Sequence, residues 1–427
     1  MVEVGIIIAC AIALLAMGLW IPFVIAGAAM AIIVASKGLS GLKAVGLVTW
    51  SSSNSFTLTA IPLFILMAEI LLQTGLATRL YRGLAHITRR LPGGLMQTNI
   101  LGCAMFSAIS GSSVATAAAI GTVALPELSS RGYPMRMAYG SLAAGGTLGI
   151  LIPPSIALII YGTFTESSIV KLFAAGLIPG ILLTLLFSLF VGIFGRSAVQ
   201  RGAADEGGDG QTALSVMIDI GPVAALILIV LSALYLGLAT PTEAAALGSM
   251  LAFLISLALG EFSRERLHAA FHRTIRSSAT ILFIVIAAFL FSFSMAITGV
   301  SGALTKFVVS LELSQIGFLA AVALIYLILG LFIESIAMMV ITVPLIAPAF
   351  AVYGIDPIWF GVFLVILIEI GQITPPFGLN LFVIQSTNKA NYTDVVLGAV
   401  PYYAILIAFL ALLVAAPGIA LWLPGLV

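Results

Sequence analysis

The chain has 427 residues, of which 62% are hydrophobic and only 8% are charged, and its formal net charge is +1. Soluble domains carry about 25% charged residues, so lipid must cover most of this chain. The near-neutral charge gives no indication of nucleic-acid binding. The two cysteines, Cys10 and Cys103, lie in apolar stretches, which indicates buried small side chains and not a disulfide or a metal pair.

Apolar runs recur along the whole chain. A membrane-spanning helix needs about 20 apolar residues. The first run lacks the charged start and cleavage site of a signal peptide, so we expect it to be retained. We predict spans at 4–20, 21–36, 56–74, 135–163, 172–193, 214–236, 242–259, 280–298, 357–385 and 395–414. Two further apolar blocks, 91–130 and 315–353, are each about two helices long.

A polar segment at 201–212 divides the chain near its middle and is typical of an exposed cytoplasmic linker. The two flanks, 1–200 and 213–427, share a pattern of Gly, Pro and Ser residues. At an offset of 222 positions (375 minus 153), the matched pairs are Gly149 and Gly371, Pro153 and Pro375, Pro154 and Pro376, and Ser113 and Ser335. A double proline at the same place in both flanks indicates an internal repeat.

Basic residues are distributed unevenly between the two faces of the predicted membrane protein. If the spans alternate in direction, all 12 arginines and Lys389 fall on one face, and the other 4 lysines fall on the opposite face. Arginine and lysine favour the cytoplasmic side, so the Arg-rich face is predicted to be cytoplasmic and both termini periplasmic. Each flank then makes an odd number of crossings, which inverts the second repeat relative to the first.

The blocks 91–130 and 315–353 each leave and return on the same face. They could be pairs of full spans or re-entrant hairpins, because either structure returns the chain to the face from which it started. The polar midpoints, Ser110 to Ser113 and Glu334-Ser335, fit either a water-facing loop or a hairpin tip, and the absence of arginine and lysine there favours the hairpin. We predict an all-α membrane fold of two inverted-topology repeats. Each has about five transmembrane helices, one discontinuous, and a re-entrant hairpin.

One predicted span in each repeat contains helix breakers. Pro153 and Pro154 interrupt 135–163, and Pro375 and Pro376 interrupt 357–385, each pair beside glycine and threonine. Proline inside a helix costs about 3 kcal/mol or more, and backbone freed at membrane depth must be buried in protein or line a wet cavity. Matched broken helices in inverted repeats point to a transporter's binding site. Simple packing kinks are the alternative.

Polar side chains within the apolar blocks are the other candidate site residues. Ser110, Ser112, Ser113 and Thr116 suit either ion or substrate contacts or close helix packing. Four acids lie in or beside spans, and intramembrane carboxylates are functional candidates. Glu334, at the midpoint of the block 315–353, and Glu369, just before the proline break in 357–385, are the strongest functional candidates among them. Glu243 suits a helix start, and Glu69 is expected to pair with a polar group of a neighbouring subunit.

A basic segment at 262–278 carries Leu267, Phe271 and Ile275 at intervals of four residues among arginines and histidines. This stripe predicts an amphipathic helix in the cytoplasmic interface. Its counterpart in the first repeat is roughly 37–54. The pair would frame a moving domain.

Taken together, SGSSVATAAAIGTVALPEL, GSLAAGGTLGILIPPS and GQITPPFGLN resemble the large membrane subunit of tripartite ATP-independent periplasmic (TRAP) transporters, over essentially the whole chain. The resemblance implies an elevator-type carrier in the bacterial inner membrane that imports organic acids, such as sialic acid or C4-dicarboxylates, with Na⁺. It also implies a small four-helix membrane subunit and a periplasmic substrate-binding protein as partners. Because this chain begins directly with the large subunit, we expect the small one to be a separate chain.

The resemblance also implies site residues. The first of two Na⁺ sites would use Ser110, Gly111, Ser112, Gly145, Gly146, Thr147 and Gly149, with Ser113 beside them. The second would use Glu334, Ser335, Gly371, Thr374, Pro375 and Gly378. The substrate would lie between the hairpin tips, near Ser113, Thr116, Pro154, Ser335, Pro376 and Asn380. One alternative is a stand-alone ion-coupled carboxylate carrier. The other, an intramembrane enzyme or assembly scaffold, is disfavoured because no paired catalytic residues are evident, so we expect no enzyme activity.

Overall fold

The computed structural model describes residues 2–195, 212–331 and 333–427, and all regular structure within these ranges is helical. The predicted all-α fold is therefore confirmed. The predicted linker 201–212, except for Thr212, lies outside the described residues, as do Arg196 and Arg201. The first half contains α1 (Val2–Ala16), α2 (Ile21–Lys37), α3 (Leu42–Ser53), α4 (Ala60–Gln73), α5 (Leu76–Thr88), α6 (Leu95–Ser110), α7 (Ser113–Ser130), α8 (Met135–Thr147), α9 (Ile156–Thr165) and α10 (Ile169–Phe194).

The second half begins with α11 (Ala213–Tyr235), α12 (Pro241–Ala258), α13 (Arg264–Ile297) and α14 (Val300–Ser310). It continues with α15 (Gln315–Leu329), α16 (Ser335–Ile346), α17 (Phe350–Tyr353), α18 (Pro357–Gln372), α19 (Leu379–Asn388), α20 (Tyr392–Ala415) and α21 (Gly418–Leu421). Within the described ranges, six helical segments are long and apolar enough to cross a membrane: Ile169–Phe194, Leu214–Tyr235, Pro241–Ala258, Arg264–Ile297, Ser335–Tyr353 and Tyr392–Ala415. The chain is thus a multi-pass membrane protein.

The long helix α13 joins two segments that the sequence pattern predicts as separate elements. Its 34 residues include 264–278 of the predicted interfacial helix, 262–278, and most of the span 280–298. The two form one helix because neither glycine nor proline occurs between Arg264 and Ile297. At 1.5 Å per residue the helix is about 50 Å long, which exceeds the roughly 30 Å hydrocarbon core of a bilayer. Its basic first turns therefore extend beyond the apolar layer.

The first half divides the corresponding length into two helices. The segments Leu39–Ser53 and Thr57–Gln73 meet at an angle of 57°. The hydroxyl of Ser52 donates to the carbonyl of Val48, and that of Ser53 donates to the carbonyl of Thr49. Side chains that bond their own backbone compete with helix propagation, and α3 ends directly after them.

The order of elements repeats from one half to the other. The single helices correspond in pairs: α1 to α11, α2 to α12, α5 to α14, α6 to α15, α7 to α16 and α10 to α20. The pair α3 and α4 corresponds to the single helix α13, and the interrupted helix α8 and α9 corresponds to α18 and α19. Three sets of packing contacts between the halves are reciprocal. Helix α2 packs on α13 while α12 packs on α4, α8 packs on α20 while α18 packs on α10, and α7 packs on α19 while α16 packs on α9. The halves are thus interleaved, and most of the apolar core is one continuous cluster that both contribute to.

Ion pairs join α5 of the first half to the second half. Arg82 contacts Asp219 of α11 at 3.0 Å, and Asp219 is only 4% exposed. Arg79 bonds Glu261 at 2.6 Å, and Arg266 bonds the same carboxylate at 2.8 Å. Glu261 lies in the short connection between α12 and α13. These hydrogen bonds from two guanidinium groups hold the pKa of Glu261 below its ordinary value.

We predict that Glu261→Gln lowers thermal stability at pH 7 by at most about 1 kcal/mol, because partly exposed ion pairs contribute little. A lowered folded-state pKa adds stability above the ordinary pKa of 4.5, and that stability is lost as the pH falls through the folded-state value. Melting curves at pH 7 and in acid should therefore show a difference that disappears in acid. Glu312→Gln, at an exposed connection, is the control. A difference that persists unchanged in acid would contradict the ionic explanation.

Candidate substrate and cation site

The first hairpin consists of α6 and α7, which break at the predicted midpoint. Gly111 has a φ of 58°, in the left-handed region that favours glycine. The hydroxyl of Ser112 accepts from the amide of Ala115 at 3.4 Å and caps α7. The hydroxyls of Ser110 and Thr116 bond each other at 2.7 Å across the break. Local chemistry therefore places the tip at Gly111 and Ser112.

This tip packs into the break of the first interrupted helix. Helix α8 ends at Thr147, a single 3-10 turn covers Leu148–Ile150, and α9 begins at Ile156. The amide of Ile156 donates to the carbonyl of Gly111 at 3.4 Å, and the hydroxyl of Ser113 donates to the carbonyl of Thr147 at 3.1 Å. All residues of the break, 148–155, are buried. Backbone groups freed in the hairpin tip and the helix break are thus partly satisfied by each other.

Glycines make this contact close. A Cβ atom on Gly149 would lie 2.5 Å from the carbonyl oxygen of Ser112. One on Gly146 would lie 2.6 Å from Cβ of Ala117, and one on Gly145 would lie 3.0 Å from Cβ of Cys103. The glycines predicted as cation ligands therefore bring α8 and its break against the two hairpin helices.

The second hairpin consists of α15 and α16, and Glu334 caps the start of α16. Its carboxylate accepts from the amides of Ile336 at 3.0 Å and Ala337 at 3.3 Å. The hydroxyl of Ser335 donates to the same carboxylate at 2.7 Å. The midpoint acid selected from the sequence is thus a helix N-cap at the tip.

The second interrupted helix is less enclosed than the first. Helix α18 ends at Gln372 and α19 begins at Leu379, and residues 375–377 between them are exposed. The hydroxyl of Thr374 donates to the carbonyl of Ile370 at 2.6 Å, and the carbonyl of Pro376 accepts from the hydroxyl of Tyr392 at 2.6 Å. In both breaks the Pro-Pro peptide bond is cis.

The two hairpin tips border one cavity of about 150 Å³. Predicted site residues that line it are Ser110, Gly111, Ser112, Ser113, Glu334 and Ser335. Thr116 lies behind Ser110 and bonds it, and the carbonyl of Pro154 packs on Gly111. The structure thus brings together serines of one half and an acid and a serine of the other.

The remaining predicted residues do not line this cavity. They are Gly145, Gly146, Thr147, Gly149, Gly371, Thr374, Pro375, Pro376, Gly378 and Asn380. Gly371 packs against Gly330 at the end of the second hairpin's first helix, where its Cβ would lie 3.1 Å from Cα of Gly330. The buried amide of Asn380 donates to the carbonyl of Ala143 in α8 at 3.4 Å. The second break therefore contacts the second hairpin by glycine packing and reaches the first repeat through Asn380.

Two elements outside the hairpins and interrupted helices complete the cavity wall. Glu69 of α4 and Ser277 of α13 both line it, with apolar neighbours from the same helices. The sequence indicates Glu69 as a functional candidate because its carboxylate lies within an apolar span, and it suggests a polar partner in another subunit. In the structure Gln73 of the same helix donates to Glu69 at 3.1 Å. Glu243 forms a capping box with Thr240, which confirms its predicted role at a helix start.

The oxygens at these sites suit a monovalent cation. Within the described ranges, no group of three or more His, Cys, Asp and Glu side chains is placed to hold a metal ion. The first tip and its break instead present serine hydroxyls and backbone carbonyls, which are ligands that suit Na⁺. Near the second break, both carboxylate oxygens of Glu369 and the side-chain amide of Gln372 are buried, with no hydrogen-bond partner among the described residues.

A multi-pass helical membrane protein with paired broken helices and a cavity between two hairpins has the architecture of a transport protein. Residues 8–419 match the family model of the tripartite ATP-independent periplasmic transporter, DctM component. The chain belongs to this family, as the sequence motifs predict, and is the large membrane subunit of a TRAP transporter.

Individual relatives agree with this assignment, and a solved structure has a similar fold. The chain is 34% identical over 411 residues, covering 90% of each protein, to the C4-dicarboxylate TRAP transporter large permease protein DctM of Rhodobacter capsulatus. It is 30% identical over 373 residues, covering 87% of this chain and 86% of the relative, to the ectoine TRAP transporter large permease protein TeaC of Halomonas elongata. The fold resembles the YdaH transporter of Alcanivorax borkumensis, with a TM-score of 0.66, 17% identity and 90% of each chain covered.

These relatives are permeases, so the expectation that the chain is not an enzyme is confirmed. The comparisons give no support to the stand-alone carrier that the sequence left as an alternative.

We predict that Gly149→Ala disrupts the first site, because its Cβ would meet the backbone of Ser112 and Ser113 at 2.5–2.7 Å. The melting temperature should fall, by the equivalent of about 1–3 kcal/mol for overpacking. Gly27→Ala is the matched control, because nothing lies within 4 Å of its Cβ and alanine favours helix. Equal melting temperatures for the two variants would show that the tip does not need this close contact.

Proposed function

We propose that the chain carries an organic acid, of the sialic acid or C4-dicarboxylate type, across the bacterial inner membrane, driven by Na⁺. The observation that carries the proposal is the cavity between the two hairpin tips, which serines of both halves and two carboxylates line among apolar side chains. Breaks in apolar helices place hydroxyls, carbonyls and helix starts beside this cavity, in a chain whose relatives are transporter permeases. The relatives carry the names of different substrates, so we propose a class of acids and not a single compound.

The first tip is the proposed principal cation site. Ser110, Gly111 and Ser112 supply oxygens at the cavity, and the carbonyl of Thr147 lies within hydrogen-bond distance of Ser113. A second Na⁺ would use oxygens near Ser335 and Thr374, as the resemblance implies. Na⁺ bound near these tips would offset the charge of an arriving carboxylate.

The start of α7 is the proposed site for the substrate carboxylate. Ser113, Val114 and Ala115, its first three residues, all line the cavity. The amide of Ala115 already donates to the hydroxyl of Ser112, so the amides of Ser113 and Val114 are the ones that a ligand can use, and the helix dipole favours negative charge there. Because α7 has 18 residues, its dipole is fully developed at the tip. A carboxylate at this end and a cation at the neighbouring serines would stabilise each other.

Reciprocal packing supports inverted repeats and an elevator-type movement. Three of the contacts between first-half and second-half helices have a counterpart with the roles exchanged, as expected for two halves related by a twofold axis. Under this proposal the hairpins and interrupted helices move together, while α2, α4, α12 and α13 form the scaffold. The Arg-rich face is cytoplasmic and both termini are periplasmic.

The tripartite family predicts two partners. A small four-helix membrane subunit would pack on the scaffold within the bilayer, and a periplasmic substrate-binding protein would deliver the acid. Exposed apolar side chains on α2 and α11 provide lipid-facing or subunit-facing surface, among them Phe23, Met30, Leu214 and Leu228.

We predict that proteoliposomes containing the chain and both partners take up labelled acid when Na⁺ is higher outside. Collapsing the Na⁺ gradient with an ionophore should abolish concentrative uptake, because the gradient supplies the driving force. Omission of the soluble partner should also abolish uptake. Concentrative uptake that is unchanged without a Na⁺ gradient would refute Na⁺ coupling.

Two alanine variants test the proposed cation sites. Ser112→Ala and Thr374→Ala should each raise the Na⁺ concentration needed for half-maximal uptake by about tenfold, the effect of losing one oxygen contact to a charged group. Thr122→Ala is the control, because Thr122 is exposed on α7 and its hydroxyl bonds only its own helix, at the carbonyl of Ala118. Unchanged Na⁺ dependence in both site variants would contradict the assignment.

A further inference from the structure

A carboxylate from outside the hairpins faces the same cavity. Glu69 lies in α4 and lines the cavity with Ile65, Ala68 and Leu72 of that helix. Among the lining residues that the structure describes, Glu334 is the only other acid, and there is no lysine, arginine or histidine. The charge at the cavity wall therefore comes from these two side chains.

Their carboxylates have different surroundings. Glu334 accepts three hydrogen bonds, from the hydroxyl of Ser335 and from the amides of Ile336 and Ala337. Its charge is thus stabilised by its own helix start. Glu69 accepts one hydrogen bond, from Gln73 to Oε2 at 3.1 Å. Its Oε1 has no hydrogen-bond partner within the described residues, so Glu69 can accept further hydrogen bonds from a group in the cavity.

A basic residue lies near Glu69 but outside the cavity. Arg273 of α13 acts electrostatically on Glu69 but does not itself line the cavity. It lies one turn before Ser277, a lining residue on the same helix face. A ligand in the cavity therefore meets the Glu69 carboxylate directly, while the opposing positive charge is outside.

This arrangement distinguishes between classes of organic acid. If one carboxylate binds at the start of α7, the remote end of the solute is available to Glu69. A second carboxylate there would meet a like charge, which is unfavourable. An ammonium, amidinium or hydroxyl group would instead donate a charge-assisted hydrogen bond. The wall thus favours a solute with one carboxylate and a remote hydrogen-bond donor.

We propose that Glu69 contacts the substrate and selects monocarboxylates that carry a hydrogen-bond donor, such as zwitterions and hydroxylated acids, over dicarboxylates. The inference rests on the proposed function, because it requires an organic acid in this cavity.

The test measures binding by the membrane assembly itself, so that selection by a soluble partner does not contribute. The transporter, purified in the subunit composition in which it occurs in the membrane, is placed in lipid nanodiscs with Na⁺. Calorimetry then compares three probes, namely ectoine as a zwitterion, N-acetylneuraminic acid as a hydroxylated monocarboxylate, and succinate as a dicarboxylate. Wild-type protein should bind at least one of the first two more tightly than succinate.

Three variants test the role of Glu69. Glu69→Gln should weaken binding of the preferred probe about tenfold or more and tighten binding of succinate, because the negative charge is lost. Glu69→Asp keeps the charge and should retain the wild-type order of affinities with a smaller loss. Glu312→Gln, an exposed acid outside the cavity, should match wild type. A purely structural role for Glu69 would weaken all probes alike and leave their order unchanged.

The outcomes separate this inference from the proposed function. If succinate binds most tightly to wild type, or if Glu69→Gln preserves the order of affinities, the role of Glu69 is wrong while an organic acid site remains. If folded wild type and Glu312→Gln bind none of the three probes, the organic acid function and the role of Glu69 both fail.

Discussion

Backbone amides and carbonyls that are freed inside an apolar medium must find partners within the protein. This constraint explains why the first hairpin and the first interrupted helix lie together. Gly111 accepts a hydrogen bond from Ile156, and Gly149 has no side chain that would separate its backbone from Ser112. The hairpin tip and the helix break each satisfy some of the free backbone groups of the other, and together they bring serine hydroxyls to the cavity. The proposed cation site follows from this mutual satisfaction.

The second half meets the same constraint differently. A carboxylate, Glu334, satisfies the amides at the hairpin tip, whereas the first half uses the hydroxyl of Ser112. The second break is exposed at residues 375–377, while the whole of 148–155 is buried. Glu369 nearby is buried without a partner among the described residues. The repeats therefore share element order and reciprocal packing but differ in charge and enclosure.

Local sequence signals predict much of this architecture. Paired prolines mark both interrupted helices, and polar residues amid apolar blocks mark both hairpin tips, because each breaks helix periodicity within a few residues. The place of Glu69 at the cavity, the pairing of Arg82 with Asp219 and the contact of Asn380 with Ala143 were not predictable. These contacts join residues far apart in sequence, so they depend on how the halves interleave. The continuity of α13 could have been expected, because no glycine or proline interrupts it.

The two hairpin tips, one from each half, border the same cavity. Cysteines at 112 and 335, in a background with Cys10→Ala, test it directly with a short thiol-specific crosslinker in native membranes. A shared cavity predicts an intramolecular crosslink that joins the two halves and persists after proteolysis between them. The pair Ser112→Cys with Ser310→Cys, whose second site is exposed on α14, should not crosslink. Failure of the 112–335 pair to react, while both single cysteines are labelled, would contradict the shared cavity.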